Sequence, residues 1–158
     1  MLTFRAVLPG DEASIDLARE LFLEYERELD IDLCFQSFEH ELASLPGRYT
    51  PPSGRLLLAY EGDELAGCGA LRGLEPGVCE LKRIYVRPAF RARGHGRAIS
   101  ERLLDEGRDI GYTTCRLDTL RKLTTAIALY KDLGFAEIPP YGPDSGLEIV
   151  YFERTLAQ

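Results

Sequence analysis

A chain of 158 residues, 45% of them apolar, has the length of one domain and enough hydrophobic material for one core. Its apolar residues are dispersed, with no run near the ~18 that a membrane-spanning helix needs, and Met1 to Val7 reads as a strand without the charged-then-apolar layout of a secretory leader, so no membrane partner and a cytoplasmic location are expected. The net charge of −7 disfavours non-specific nucleic-acid binding.

In chain order, Leu2 to Val7 forms a first strand. Pro9-Gly10-Asp11 is a turn. Asp11 is placed to cap a helix on which Ile15, Ala18, Leu21, Phe22, Tyr25 and Leu29 recur at helical spacing. A shorter helix covers about 37–44, and Pro46-Gly47 and Pro51-Pro52-Ser53-Gly54 bracket the loop beyond it. Arg55 to Tyr60 and Leu65 to Arg72 are strands joined by a hairpin turn at Glu61-Gly62-Asp63-Glu64. After the turn Glu75-Pro76-Gly77, Val78 to Val86 is another strand, stopped by Pro88, which cannot donate to a ladder. Gly94 and Gly96 lead into a helix carrying Ile99, Leu103 and Leu104 that ends near Gly107 to Gly111. Thr114 to Asp118 is a short strand. Thr124 or Thr125 caps a last helix with Ala126, Leu129, Tyr130 and Leu133 on one face, and Gly134 then Phe135 is its stop. The loop Pro139-Pro140-Tyr141-Gly142-Pro143 precedes a final strand, Gly146 to Arg154. A strand meander followed by strand–helix crossovers implies an α/β (α+β) fold in a single domain over residues 1–158, with a mixed sheet and helices on both faces.

Charge is unevenly placed. Leu81 to Ser100 holds no Asp or Glu but carries Lys82, Arg83, Arg87, Arg91, Arg93 and Arg97. The other 13 basic residues face all 26 acidic ones, so the remainder carries −13. One basic segment in an acidic chain is either a site for a polyanionic ligand or an ordinary solvated face. The cysteines Cys34, Cys68, Cys79 and Cys115 form no CxxC pair, and with only His40 and His95 beside them no metal site is expected. They read as reduced thiols, mostly buried, with Cys79 beside Glu80 the one candidate for reactivity.

Arg91-Ala92-Arg93-Gly94-His95-Gly96-Arg97 sits between a strand and a helix. A helix start leaves backbone N–H groups without internal partners, and its dipole favours negative charge. Glycines allow close approach of a pyrophosphate, and arginines add charge-assisted contacts. The rival phosphate motifs are missing: there is no Gly-x4-Gly-Lys-Ser/Thr and no Gly-x-Gly-x-x-Gly after the first strand.

Together with the strand Cys79-Glu80-Leu81-Lys82-Arg83-Ile84-Tyr85-Val86, the turn Arg87-Pro88 and the later Ala128-Leu129-Tyr130-Lys131-Asp132-Leu133-Gly134-Phe135, this loop resembles the GCN5-related N-acetyltransferase (GNAT) superfamily. The loop matches that family's Arg/Gln-x-x-Gly-x-Gly/Ala at Arg91, Gly94 and Gly96, and the segment order matches over essentially the whole chain. The resemblance implies a mostly antiparallel central sheet with a splayed strand pair. It also implies acetyl-CoA as co-substrate, without a metal. The pyrophosphate would rest on amides near Arg91, Arg93, Gly94, His95, Gly96, Arg97 and Ala98, and main-chain groups at Ile84 and Val86 would pair with the pantetheine arm in the gap of the splayed pair.

Acetyl transfer to nitrogen needs a base for the acceptor amine, a donor to the carbonyl oxygen and a proton for the departing thiolate. The resemblance implies Glu80 as the base. Period 2 puts Glu80, Lys82, Ile84 and Val86 on one face, where burial would raise the carboxyl's pKa and Lys82 would oppose that. The alternatives are a Glu80–Lys82 surface pair and a base replaced by a water chain. Tyr130 is the implied acid, its hydroxyl aimed at the sulfur; its alternative is a core aromatic at helical spacing. Many family members carry an asparagine seven residues before that tyrosine, where this chain has Leu123. His95 is expected to be a solvent-facing filler within the loop.

The resemblance places the acceptor among the first helices and the late strands, where Tyr25, Glu28, Asp30, Asp32, Tyr49 and Tyr141 lie, and the acids there would attract a cationic amine. A small amine or amino-acid-like acceptor is the expectation, with a protein N-terminus or lysine second and a non-catalytic acyl-CoA-binding protein third. No nucleic-acid partner is expected, because the basic loop lacks interleaved aromatics. A homodimer is the assembly suggested by family and general frequency.

Overall fold

Four consecutive residues, Leu56 to Ala59, are buried together, so their strand is covered on both faces. Leu56 and Leu58 point into one core and Leu57 and Ala59 into the other. The computed structural model that shows this describes residues 1–30 and 37–156. Its elements are β1 (Leu2–Ala6), α1 (Glu12–Leu29), α2 (Phe38–Ser44), β2 (Arg55–Glu61), β3 (Glu64–Glu75), β4 (Val78–Val86), α3 (His95–Ile110), β5 (Thr114–Leu120), α4 (Thr124–Asp132), β6 (Ala136–Ile138) and β7 (Ile149–Thr155). The seven strands form one sheet in the order β1-β2-β3-β4-β5-β7-β6. Every neighbouring pair is antiparallel except β4 with β5. This is the mixed, mostly antiparallel sheet expected from the sequence.

The first core lies under α1 and α2 and gathers Ile15, Leu21, Phe22, Phe38, Tyr49, Leu58 and Tyr85. The second lies under α3 and α4 and gathers Leu71, Cys79, Ile99, Leu103, Leu117, Tyr130 and Phe152. Asp11 caps α1 as expected, its carboxylate accepting from Ser14 N at 3.3 Å. The start of α4 differs from the reading. Neither Thr124 nor Thr125 caps it; Leu123 occupies the cap position, and main-chain bonds from Leu123 N to Leu120 O and from Ile127 N to Leu123 O set the turn. A three-residue strand, β6, adds to the sheet edge, and the final strand starts at Ile149 rather than Gly146. No helix among the described residues is long and apolar enough to cross a membrane.

Two departures from regular pairing shape the site. First, β4 pairs with β5 only from Val78 to Glu80, so from Leu81 onward the two strands part. Second, the β3–β4 register shifts between Cys68↔Tyr85 and Ala70↔Lys82, which leaves one extra residue on β4. Arg83 absorbs it with φ 58, in the left-handed region. Gly67 makes the close approach feasible: a Cβ there would lie 2.3 Å from Tyr85 O.

Candidate active site

After β4 the chain makes a tight turn at Pro88–Phe90, passes Ala92 at φ 63 and reaches Gly94 at φ 79, the cap residue of α3. Ala98 N is the first amide of the helix to find a partner, Gly94 O at 3.0 Å; among the described residues, no backbone acceptor meets the N–H groups of Ala92 to Arg97. Consecutive amides without a backbone acceptor at the positive end of a 16-residue helix are an arrangement whose geometry and dipole favour an anion. Around it each arginine holds an acid from another element: Arg91 with Glu28 at 2.6 Å, Arg93 with Glu61, and Arg97 with Asp132. Exposed ion pairs of this kind are worth about 0–1 kcal/mol, so a phosphate can take the arginines from these acids. His95 is not the solvent-facing filler expected of it. Its ring is largely covered and Nε2 lies 2.7 Å from Glu61 Oε1, so Glu61 ties together His95 and Arg93.

The parting of β4 and β5 leaves the β5-facing main chain of β4 beyond Glu80 without a strand partner, next to the cradle. Ile84 and Val86 lie along this gap. The Val86 carbonyl accepts from Arg91 Nε at 2.9 Å, which anchors the loop to the strand. The shared face expected for Glu80, Lys82, Ile84 and Val86 does not exist, because the extra residue at Arg83 reverses the alternation. Glu80 and Lys82 line a cavity on the α1–α2 side, whereas Ile84 and Val86 pack on the α3–α4 side.

That cavity has a volume of about 260 Å³. Its walls carry three cations, Arg72, Lys82 and Arg83, and three anions, Glu41, Glu80 and Asp118. Arg83 forks onto Glu41 at 2.9 and 3.1 Å. Arg72 grips Glu80 Oε1 at 2.9 Å through Nε and 2.8 Å through its second nitrogen, and Tyr141 Oη donates to Glu80 Oε2 at 2.6 Å. Lys82 and Asp118 stand 3.9 Å apart. Burial pushes the Glu80 carboxyl up, but Lys82, Arg72 and the hydrogen bonds from Tyr141 and Arg72 outweigh it and hold the group below its ordinary range. The raised pKa expected for Glu80 is therefore corrected: its surroundings supply more positive charge than burial removes solvent.

Tyr130 projects from α4 into the second core, 9% exposed, with its ring edge-on to Phe135. Burial raises its hydroxyl above the ordinary range, and Tyr25 and Asp118 add to the shift, so the group is a proton carrier at neutral pH. Among the described residues no hydrogen-bond acceptor meets that hydroxyl. Other expected site residues scatter. Tyr49 is a core residue edge-on to Phe22, Glu28 is held by Arg91, Asp30 closes the end of α1 at φ 55, and Asp32, like Cys34, lies outside the described residues. Cys79 is fully buried against Gly107 and is not a reactive surface thiol. Arg72, Arg83 and Asp118 were not singled out as acceptor-site residues. Each sits on a predictable strand, but its partner lies on another element: Glu80 on β4 for Arg72, Glu41 on α2 for Arg83 and Lys82 on β4 for Asp118. Among the described residues no cluster of His, Cys, Asp or Glu is suited to a metal ion.

The profile of the acetyltransferase (GNAT) family matches residues 15–135, which include the cradle, the parted strands and Tyr130. The chain belongs to the GNAT acetyltransferase family. An uncharacterized N-acetyltransferase of Schizosaccharomyces pombe is 35% identical over 153 residues, covering 96% of this chain and 92% of that protein. Among solved structures, a GNAT-family acetyltransferase from Staphylococcus aureus Mu50 superposes with a TM-score of 0.80 at 20% identity, over 99% of this chain and 100% of that one. The yncA protein of Salmonella typhimurium, crystallised with its cofactor acetyl-CoA, superposes with a TM-score of 0.66 at 22% identity, over 99% of this chain and 95% of that one. In GNAT terms, the family motif spans the helix-start cradle, and the charged cavity lies across the sheet from α3 and α4.

Proposed function

We propose that this GNAT protein transfers the acetyl group of acetyl-CoA to the nitrogen of a small, amino-acid-like amine. The observation that carries the reading is the set of free amides from Ala92 to Arg97 beside strands that part after Glu80, with a small polar cavity on the opposite face. The residues fit the co-substrate: the amides and Arg91, Arg93 and Arg97 suit a pyrophosphate, and the unpaired edge of β4 near Ile84 and Val86 suits an extended, hydrogen-bonding arm. A cavity of about 260 Å³ suits an acceptor of amino-acid size rather than a length of polypeptide.

Acetyl-CoA supplies a thioester, an activated acyl donor. The chain's residues manage position and protons. The acceptor enters as an ammonium ion and must lose a proton to expose its lone pair. Glu80, ionised and buried at the cavity wall, is the proposed proton acceptor, reached directly or through water. Being held below the ordinary range makes it a weak base and keeps it in the accepting form. The nitrogen then bonds to the acyl carbon as the carbon–sulfur bond breaks. The second proton leaves the nitrogen to water and on to solvent, Tyr130 gives its own proton to the sulfur so that coenzyme A departs as the thiol, and the phenolate recovers a proton from solvent. Tyr130 suits that task because burial keeps its proton in place until a thiolate forms.

Thermal unfolding with and without acetyl-CoA, followed by amine-dependent release of free thiol, tests the reading. A ligand bound only by the folded form stabilises it by about 2.7 kcal/mol at a hundredfold excess over its dissociation constant. Stabilisation that is lost when Arg91 and Arg93 become alanine, with thiol release that needs an amine, is the expected result. No stabilisation at millimolar acetyl-CoA overturns it.

A further inference from the structure

The six charges of the acceptor cavity are not equivalent. Glu41 is satisfied by the Arg83 fork, and Glu80 by Arg72 and Tyr141. That leaves Lys82 and Asp118. The Lys82 side chain is 8% exposed and lines the cavity, yet among the described residues no hydrogen bond reaches its ammonium; its one ion-pair partner, Asp118, is 3.9 Å away. An ammonium has three donors to satisfy, and burying it with a single distant carboxylate is costly. Asp118, 21% exposed on β5, is the more open member of the pair. With three cations and three anions the cavity is neutral, so a guest carrying a lone charge would leave one charge uncompensated in a confined space, and a zwitterion would not.

We infer that the acceptor is a compact amino carboxylate such as an α-amino acid, its carboxylate bound by Lys82 and its ammonium end facing Asp118. The inference rests on the acceptor-cavity reading proposed above. In an α-amino acid the two charged groups sit on the same carbon, so one molecule can meet both members of a pair 3.9 Å apart. One loose ion pair is exchanged for two close ones, and the cavity stays neutral. Burial pulls the Lys82 ammonium below its ordinary range while Asp118 and Glu80 pull it back, and a bound carboxylate adds to that restoring side. An amine without a carboxylate gains Asp118 but strips Lys82 of its one partner. Glu28, Glu41 and Glu80 are each already held by an arginine, so among the described residues of the cavity Asp118 is the carboxylate that no arginine holds.

The test uses the full-length protein saturated with coenzyme A. The proteinogenic α-amino acids and their carboxamides are titrated calorimetrically, and the same pairs are assayed with acetyl-CoA for thiol release. At least one amino acid is expected to bind about tenfold or more tighter than its carboxamide. Lys82→Met, which keeps the side-chain volume, is expected to erase the difference while leaving the acetyl-CoA stabilisation intact. Carboxamides that bind as well as the acids, or no binding by any amino acid, overturn the inference; this comparison needs no variant, so it stands even if Lys82→Met does not fold. Lys82-dependent binding without acetylation supports the carboxylate site and refutes transfer, whereas equal acetylation of acids and carboxamides refutes the carboxylate site and supports transfer.

Discussion

Tyr141 and Glu80 lie 61 residues apart, and the tyrosine hydroxyl donates to the carboxylate at 2.6 Å, so the loop 139–143 is pinned to β4 where the strands begin to part. The bond does two things. It holds the loop over the cavity and it helps to keep Glu80 ionised. Tyr141→Phe removes only the hydroxyl. Stability should fall by about 1.5–3 kcal/mol, since the acceptor is charged and buried. The KM for the acceptor should rise while that for acetyl-CoA stays fixed. Denaturant midpoints and two-substrate kinetics check both parts.

Glu80 also links stability to pH with a definite sign. Its folded pKa lies below the ordinary 4.5, so its contribution is fully present above that value and is lost as pH falls through the lower, folded value. Glu80→Gln leaves the half-buried Arg72 without its anion and should cost about 3 kcal/mol at pH 7. The gap between wild type and variant should narrow steadily as the pH is lowered past the ordinary carboxylate range. Urea unfolding of both proteins across the acid range measures it. A gap that widens in acid would mean that burial, and not the cations, governs this carboxyl.

Tyr130 separates packing from chemistry. Its ring fills the second core, and its hydroxyl has no recorded acceptor among the described residues. Tyr130→Phe should therefore leave stability unchanged or raise it, by up to about 1 kcal/mol. If the hydroxyl protonates the leaving sulfur, kcat should fall about a hundredfold with the KM for acetyl-CoA unchanged. An unchanged kcat would reduce Tyr130 to a core aromatic.

What the sequence made legible was local. The cradle, the end of β4 at Val86 and the stop at Gly134 are each written within a few residues, because a cap, a proline or a glycine acts on its own neighbourhood. What it hid depends on distant partners. The reversal of alternation at Arg83 is forced by register against β3, and the signal was Gly67, a strand glycine where another backbone approaches. The lowered pKa of Glu80 needed Arg72 and Tyr141, brought from β3 and the late loop. Charge counting saw a basic segment but not that Glu28, Glu61 and Asp132 fold back onto its arginines. The acceptor cavity was the least legible part for the same reason: its polar groups come from α2, four strands and a loop.

The two glycines of the cradle should respond differently to alanine. Gly94 sits at φ 79, and a Cβ there would meet nothing within 4 Å, so Gly94→Ala carries a conformational cost alone, about 1 kcal/mol. Gly96 lies inside the first turn of α3 without a positive φ, and its Cβ would make an ordinary contact with Leu129 at 3.7 Å. Alanine is the better helix former, so Gly96→Ala should leave the free protein as stable as wild type or more so, by up to about 1 kcal/mol. The added methyl would face Leu129 of α4, and alanine is the alternative that the family motif allows at this position, so the cradle should accept it. Gly96→Ala should thus raise the melting temperature without ligand and keep the stabilisation by acetyl-CoA, whereas Gly94→Ala should lower both. Thermal unfolding of the two variants with and without acetyl-CoA reads all four values. Full stabilisation of Gly94→Ala by the ligand would mean that the amides of the helix start do not bind the phosphates.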